Sequence, residues 1–364
     1  MIVRFKVITT AIFALFGVNA HATELTASTS NIQSVFAKAN SGDTIRLLGS
    51  FGQTRLSDRS FNQTVKIGAT AASFSDTMTF SNVSHITVLG GSYGSDVRLM
   101  ASNKAIDVRG GDSISFINPT VTGFYTGTGL SILGTTNASV SGGTFSKLHA
   151  GVVLGNVRGG SVTNVRSLAA VGDGIDIVSS SNVVASNSSC SGSTPLVGAH
   201  PDCIQLWSAI GTAPQRNITL RDNYATGSTQ GFTDFGSYGI ASYNITMTNN
   251  RVDGYFPQGV ACYRCEDSTF QGNVLSSMDG AVFKVNLNIV GGARNTIVGN
   301  VLGQFDRGRA RQIHFYTRAE LIAGGSTAPD LVGGVPEPAS WSLMITGFAL
   351  IGTARRRSRA FAPC

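Results

Sequence analysis

Short runs of alternating apolar and polar residues recur along the chain, separated by Gly, Asn, Ser and Asp. Eight runs share one pattern and begin 21 to 29 residues apart. A repeat of this length, built from short strands, is typical of a solenoid in which each turn stacks on the previous one at about 4.8 Å. The eight runs begin at Lys104, Thr128, Ala150, Asp173, Asp202, Gln230, Gln258 and Asp279.

A second series of short strands runs in phase with the first, and each strand ends on asparagine. Stacked asparagine side chains can hydrogen-bond along a column of turns, whereas an antiparallel sandwich would not explain a fixed offset. The two patterns predict an all-β protein, a single-stranded right-handed parallel β-helix with Ile, Val, Leu and Phe in its bore. The asparagines are Asn118, Asn164, Asn187, Asn223, Asn250, Asn273 and Asn300, and Gly142 takes the place of one.

The first part of the body reads as an amphipathic helix over residues 31–40, a Gly-Asp turn at 42–43 and a strand. The helix would cap the open N-terminal end of the stack, where unpaired strand edges invite aggregation. This stretch resembles the opening of pectin-lyase-like β-helix proteins, including the chondroitinase and alginate lyase group. The resemblance implies the same fold.

The two ends of the chain differ from the body. Residues 1–22 have a basic start, an apolar stretch and a small-residue cleavage site, which predicts a signal peptide and export. The body then spans residues 23–322, and a linker rich in Ser, Thr and Gly spans 323–334. Leader and tail hold much of the +7 net charge and leave 21 basic and 19 acidic groups in the body, so no nucleic-acid partner is expected.

Residues 335–359 contain Val-Pro-Glu-Pro-Ala-Ser-Trp, an apolar run and an arginine cluster, in that order. The apolar run is short for a bilayer, and the arginines behind it would hold that end in the cytoplasm. The segment resembles the PEP-CTERM sorting signal of Gram-negative bacteria that make exopolysaccharide. The resemblance implies a short transmembrane segment placed transiently in the inner membrane, an exosortase-type sorting enzyme as partner, and a final location in the periplasm, at the cell surface or outside the cell.

The cysteines fit an oxidising compartment. Cys190 and Cys203 bracket a loop that lengthens one turn, so a disulfide between them would fix that loop. Cys262 and Cys265 have the spacing of half a zinc site, but no second pair accompanies them and Cys262 falls at an inward position. A disulfide or a buried thiol is therefore favoured over zinc for this pair.

Polar groups collect on one face between residues 173 and 284, because stacking turns each repeat position into a column. Asp173 and Asp202 fall on adjacent turns, with Asp176 and His200 close by. Two carboxylates this close retain a proton or bind a cation, which predicts catalytic acids at Asp173, Asp176 and Asp202 or a calcium site at Asp173 and Asp202. The plainer interpretation is that Asp before Gly simply favours a turn.

The same columns supply groups that suit a sugar. Amides donate to hydroxyl groups and aromatic rings stack on sugar rings, although stacked glutamines also stabilise β-helices on their own. Lys284 would act as a lyase base only if burial lowered its pKa; the alternative is an ordinary solvated lysine. The predicted substrate-binding residues are Gln205, Trp207, Gln230, Gln258 and Tyr263.

Three stretches resemble the signatures of polygalacturonase-type glycosidases: residues 173–177, 202–204 and 280–284. The resemblance implies catalytic acids at Asp173 and Asp202. The chain departs from that family at Pro201, where a second paired acid is expected, and at Phe283-Lys284, which lacks the arginine of the family's Arg-Ile-Lys signature; the Gly-His-Gly motif has no match. The proton-donating acid of that family is therefore missing.

These features predict an exported protein that acts on an extracellular, acidic polysaccharide. The first interpretation is a polysaccharide lyase working around Asp173, Asp176, His200 and Asp202. The alternatives are an inverting polygalacturonase-like hydrolase on the same face and a non-catalytic protein that binds or scaffolds exopolysaccharide. No cofactor is required beyond the optional calcium, and a monomer is expected.

Overall fold

The computed structural model describes residues 22–94, 103–208, 211–236, 240–305 and 315–322. These residues form an all-β right-handed parallel β-solenoid of about 11 turns. Strands of one turn hydrogen-bond in parallel to strands of the turns before and after, so the stack of turns predicted from the repeat is confirmed.

The described elements comprise thirty-two strands and two short helices. The elements of the N-terminal turns are β1 (Glu24–Ala27), α1 (Ile32–Lys38), β2 (Thr44–Leu47), β3 (Gly49–Phe51), β4 (Thr54–Gly68), β5 (Ala72–Phe74), β6 (Met78–Leu89), β7 (Ser92–Tyr93), β8 (Lys104–Arg109), β9 (Asp112–Ile117), β10 (Thr120–Thr122), β11 (Thr128–Leu133), β12 (Thr136–Ser141), β13 (Thr144–Ser146), β14 (Ala150–Gly155), β15 (Arg158–Thr163) and β16 (Arg166–Leu168). The elements of the C-terminal turns are β17 (Ile175–Val178), β18 (Ser181–Ser186), β19 (Ser189–Ser191), β20 (Asp202–Trp207), β21 (Arg216–Arg221), β22 (Tyr224–Gly227), β23 (Gln230–Asp234), β24 (Ser242–Thr248), β25 (Arg251–Gly254), β26 (Gln258–Tyr263), β27 (Cys265–Glu266), β28 (Thr269–Gln271), β29 (Val274–Ser277), β30 (Asn286–Val290), β31 (Thr296–Val298), β32 (Val301–Leu302) and α2 (Arg318–Ile322).

The strands form three faces. One face is an 11-stranded sheet, and the other two faces belong to a 21-stranded network because the long strands β4 and β6 turn a corner between them. Registers hold across many turns: Val153 pairs with Asp176, Asp176 with Gln205, and Gln205 with Thr233. A single position in the repeat therefore becomes a straight column along the solenoid, as the sequence predicted.

The bore of the solenoid is filled by apolar side chains that stack in the same way. Phe51, Phe74 and Tyr93 lie on successive turns with ring centroids 5.1 and 4.7 Å apart. Each is about 1% exposed, and burial of such a side chain stabilises the fold by about 1.5–3 kcal/mol. No single turn can bury this surface alone, so stability depends on stacking.

The asparagine column is confirmed in part. Asn223, Asn250, Asn273 and Asn300 form a ladder, in which the Nδ2 of each of the first three donates to the Oδ1 of the next at 2.8–3.1 Å. The predicted alignment with Asn187 is wrong by one residue, because Asn223 accepts from the backbone N–H of Ser188 instead. The earlier asparagines hold a left-handed turn position that Asn tolerates well: Asn118, Asn164 and Asn187, with φ of 53°, 57° and 53°.

The prediction of the eighth run, which begins at Asp279, is wrong. Residues 279–285 do not form the strand of the next turn, since β30 does so instead: Asn286 pairs with Gln258, and Val290 with Tyr263. Residues 279–285 therefore lie in the connection before β30, and a bulge in β26 then sets Gly259 and Val260 opposite a single residue of β30. Gly280 has φ +86°, which fits a turn.

The two ends of the described chain pack differently. Helix α1 buries Ile32 and Phe36, and the ring of Phe36 meets Phe61 edge-on at 5.9 Å; its role as a cap stays a prediction. At the other end, Tyr316 forms a parallel bridge with Leu196 and packs near Tyr125. The segment that carries α2 therefore lies back along earlier turns.

The leader and tail predictions lie outside the described residues. This applies to nearly all of the signal peptide at 1–22, to the linker at 323–334 and to the sorting signal at 335–359. Within the described ranges, no helix is long and apolar enough to cross a membrane.

Candidate functional site

Three aspartates meet on one face of the solenoid. The backbone N–H of Asp202 donates to Oδ1 of Asp173 at 2.8 Å, which joins adjacent turns. The carboxyl of Asp173 hydrogen-bonds that of Asp176 on the same turn. The structure therefore brings together the three acids that the sequence singled out, although they lie up to 29 residues apart in the chain.

A disulfide and a glycine set this local geometry. Cys190 and Cys203 are bonded with a Cα–Cα distance of 5.4 Å, which confirms the predicted pair and fixes the long loop before Asp202. A Cβ on Gly174 would lie 2.6 Å from the sulfur of Cys190. Position 174 therefore requires glycine because of this close approach. A left-handed turn is not the reason, since the φ of Gly174 is not positive.

Asp202 is the most enclosed of the three acids, with 1% exposure. Thr233 Oγ1 donates to one oxygen at 2.9 Å, and Gln205 Nε2 donates to the other at 3.0 Å. Nδ1 of His200 lies 3.4 Å from the second oxygen. Thr233 was not predicted as a site residue, although its place in the column after Gln205 is visible in the sequence.

Burial and mutual repulsion change the acidity of the cluster. Burial raises the pKa of Asp173 well above its usual range, and the charges of Asp176 and Asp202 raise it further. Burial and the charge of Asp202 raise the pKa of Asp176 to about 7. Burial also raises the pKa of Asp202, although its hydrogen bond with His200 opposes this. The cluster therefore holds protons to a higher pH than isolated aspartates do.

Asp176 and Trp207 form a second contact in the site. The indole of Trp207 donates a hydrogen bond to Asp176, which favours the ionised form of that carboxyl. The other oxygen of Asp176, Oδ1, is buried and has no hydrogen-bond partner among the described residues. A buried oxygen of this kind is suited to bind a water molecule or a substrate hydroxyl.

His200 lies at the edge of the cluster with its side chain 24% exposed. Burial lowers the pKa of the imidazole, but the hydrogen bond and charge of Asp202 outweigh this effect and give a net rise. The ring of Phe235 meets the imidazole edge-on at 5.8 Å. Asp202 and Phe235 thus hold His200 in a fixed orientation between the acids and the aromatic rings.

Aromatic and amide groups continue the face beyond His200. Phe235 stacks on Tyr263 with ring centroids 5.7 Å apart, a contact that the sequence did not single out. Gln258 Nε2 donates to the Tyr263 hydroxyl at 2.8 Å, and Asn288 donates to Gln258 Oε1. Gln258 therefore positions Tyr263 instead of presenting a free amide.

Gln230 behaves differently from the other glutamines. It is 1% exposed, and neither its Oε1 nor its Nε2 has a hydrogen-bond partner among the described residues. It pairs in register with Asp202, so its backbone lies one turn from the acid cluster. An enclosed amide without partners points to a bound water or ligand at this position.

Lys284 does not occupy its predicted column. Val290, not Lys284, pairs with Tyr263, and Lys284 lies in the turn before β30. Within the described residues, no ion pair joins its ammonium group to Asp173, Asp176 or Asp202. The physical reason is the connection between β29 and β30, which is longer than the repeat predicts and leaves Lys284 ahead of the strand.

Calcium at Asp173 and Asp202 stays a prediction. Calcium usually takes six to eight oxygen ligands. The oxygens of Asp202 already accept from Thr233 and Gln205, and one oxygen of Asp173 accepts from a backbone N–H. Each of these oxygens keeps a second lone pair, so the hydrogen bonds neither supply nor exclude the ligands that calcium needs.

Comparisons with known proteins support the fold. A family model described as "Right handed beta helix region" matches residues 84–233, in agreement with the right-handed solenoid that the structure describes. No curated protein matches the sequence significantly.

Three similar solved structures have different roles. An alginate lyase from Paenibacillus sp. str. FPU-7 is 13% identical, with 77% of this chain and 99% of that chain covered and a TM-score of 0.48. A polygalacturonase from Erwinia carotovora ssp. carotovora is 14% identical over 80% of this chain and 89% of that chain, with a TM-score of 0.46. PfbA, a surface adhesin of Streptococcus pneumoniae, is 9% identical over 72% and 85%, with a TM-score of 0.42. Identities and TM-scores this low say nothing about function.

Proposed function

We propose that this protein cleaves an extracellular polysaccharide by acid–base chemistry at Asp173, Asp176, His200 and Asp202. The observation that carries the proposal is the meeting of Asp173 and Asp176 with the buried Asp202 on adjacent turns, where burial raises the pKa of all three carboxyls. A carboxyl with a pKa near 7 can donate a proton to a glycosidic oxygen at neutral pH.

Hydrolysis is the reaction that these groups support best. Asp176, resupplied by Asp173, would protonate the leaving-group oxygen. His200, oriented by Asp202, would take the proton from the attacking water. Asp176 would thereby supply the proton donor that Pro201 removes from the polygalacturonase-type pattern.

Lyase chemistry is the second candidate, and the contact of His200 with buried Asp202 favours it. An imidazole held in this way could remove the proton next to a uronate carboxyl group, while Asp176 protonated the departing oxygen. Lys284 is not part of this proposal, because it lies outside the column that contains Tyr263.

The substrate would lie along the columns of the solenoid. Trp207, Phe235 and Tyr263 offer aromatic surface for sugar rings, and Gln205 offers its amide oxygen for a hydroxyl group because its Nε2 already donates to Asp202. Gln230 is enclosed and lies outside this surface. Gln258 would act indirectly by holding Tyr263. The same surface would also suit a non-catalytic exopolysaccharide binder, which is an outcome of the test below.

The test is product analysis with a panel of acidic and neutral polysaccharides, with and without a calcium chelator. New reducing ends alone would indicate a hydrolase, an unsaturated ultraviolet-absorbing end a lyase, and retention of uncut glycan a binder. Asp173→Asn and Asp202→Asn should each abolish turnover. Turnover that survives both changes would place the reaction elsewhere, and turnover unaffected by the chelator would remove calcium from the proposal.

We further propose that the chain is exported and sorted to the surface. The support is the leader at 1–22 and the Pro-Glu-Pro tail at 335–359, which an exosortase-type enzyme would cut after transient insertion in the inner membrane. The mature mass, measured in cells with and without the tail, tests this proposal. An unprocessed mass at the cell surface would contradict it.

A further inference from the structure

A buried carboxyl interrupts the apolar bore close to the candidate site. Ile177, Leu206, Asp234 and Cys262 follow one another in register on successive turns. Asp234 and Cys262 are both 0% exposed. Burying a carboxylate costs several kcal/mol unless it is paired or bound to a metal, so this position calls for a specific partner.

The neighbours of Asp234 include two sulfurs. The backbone N–H of Gly236 donates to Oδ1 at 2.9 Å, and the Ser242 hydroxyl also donates to this carboxylate. Cys265 Sγ lies 4.0 Å from Oδ2. One ligand atom from each of Asp234, Cys262 and Cys265 lies within 4.8 Å of the other two.

This residue set has the chemistry of a zinc site. Zinc in proteins takes thiolate sulfur at about 2.3 Å and carboxylate oxygen at about 2.0–2.2 Å, in tetrahedral geometry. The sequence argued against zinc because no second cysteine pair accompanies Cys262 and Cys265. The structure supplies Asp234 from the neighbouring turn as a third ligand.

We propose that Asp234, Cys262 and Cys265 form a buried, redox-dependent site for a thiophilic divalent cation such as zinc. In the structure Cys262 and Cys265 form a disulfide, which is the closed form of the site. An external dithiol supplies two electrons and two protons, so that the disulfide becomes two thiols and the dithiol is oxidised to its own disulfide. The cation then displaces both thiol protons to solvent and binds the two thiolates and the carboxylate.

The site lies behind the aromatic part of the candidate glycan surface. Phe235 follows Asp234, and Tyr263 lies between Cys262 and Cys265. The two rings stack on the outer face at 5.7 Å, while the proposed ligands point inward. The proposal does not depend on glycan cleavage, because it rests on the ligand set alone.

Metal binding by the full-length protein tests the inference. The protein is reduced with a dithiol, freed of it without oxygen, and titrated with zinc in competition with a chromophoric chelator. We expect one zinc per chain after reduction and none before. Asp234→Asn should weaken binding at least about 10-fold, and cobalt in place of zinc should show a thiolate charge-transfer band.

The controls separate this site from the other thiols. Cys190→Ala with Cys203→Ala removes the second disulfide and should leave zinc binding unchanged, whereas Cys262→Ala with Cys265→Ala should abolish it. Equal binding by Asp234→Asn and the wild-type protein would overturn the proposal. Absence of binding by reduced protein with a native circular dichroism spectrum would overturn it too, as would a loss of native signal on reduction that zinc does not restore.

Discussion

Two buried aspartates of the same column have opposite surroundings. Asp107 and Asp176 lie three turns apart, connected in register through Ser131 and Val153, and are 4% and 9% exposed. Lys104 Nζ and Arg109 Nε donate to Asp107 at 3.0 and 2.7 Å.

Around Asp176 the corresponding positions carry different residues. Asp173 occupies the column position that Lys104 occupies in the turn of Asp107, and Val178 occupies the position of Arg109. Among the described residues, no lysine or arginine forms an ion pair with Asp176. A buried carboxylate between two cations is a structural ion pair, whereas one between carboxyls binds protons. The comparison therefore locates the proposed chemistry on the turns from 173 to 202.

The largest expected effect is a difference in glycan turnover between variants of Asp176 and Asp107. Asp176→Asn removes the proposed proton donor and should reduce glycan turnover by about 10² to 10⁴-fold, the usual contribution of a general acid. Asp107→Asn is the matched control in the same column and should keep turnover near that of the wild-type protein. Initial rates on the best substrate of the panel measure both variants. Equal loss in the two variants would remove the distinction between the two turns.

The pH dependence of stability should differ between the wild-type protein and Asp176→Asn. Burial raises the pKa of Asp176 from 3.8 to about 7, so the fold favours the protonated carboxyl. This contribution to the free energy of unfolding is fully present below pH 3.8 and is lost as the pH rises through about 7. Urea unfolding at a series of pH values should therefore show a steeper fall between these limits in the wild-type protein. Identical slopes would mean that Asp176 is not perturbed in the folded state.

A substitution at Val178 makes the surroundings of Asp176 resemble those of Asp107. Val178→Arg supplies a cation at the position of Arg109, which should lower the pKa of Asp176 by about 1–3 units. The alkaline limit of turnover should then move to lower pH by a similar amount. The profile of kcat/KM against pH measures this, with Val178→Met as the uncharged control. An unchanged alkaline limit would assign it to a group other than Asp176.

The sequence was sufficient to predict the turns but not all their registers. Repeat spacing correctly placed Asp173 beside Asp202, because stacked turns of regular length keep each position in one column. It failed at Lys284, because residues 279–285 lengthen the connection before β30, and an alternating pattern does not show where a connection is longer.

The side-chain contacts of the site do not follow from the repeat pattern. Thr233 and Phe235 were visible in the columns, but their contacts with Asp202 and His200 depend on side-chain direction. Asp234 shares an inward column with Leu206 and Cys262, and only the three-dimensional arrangement brings Cys265 beside it. Contacts between turns with irregular connections cannot be derived from spacing alone.

The smallest expected effect concerns the ion pairs of Asp107 with Lys104 and Arg109. Arg109→Ala should reduce the free energy of unfolding by less than about 1 kcal/mol, because the arginine side chain is 65% exposed and water replaces it readily. Lys104→Ala should cost more, because that side chain is 24% exposed and its loss leaves Asp107 with only the exposed partner. Chemical unfolding of both variants gives the two values. A larger cost for Arg109→Ala would mean that the exposed cation, not the enclosed one, makes Asp107 a structural residue and keeps it unlike Asp176.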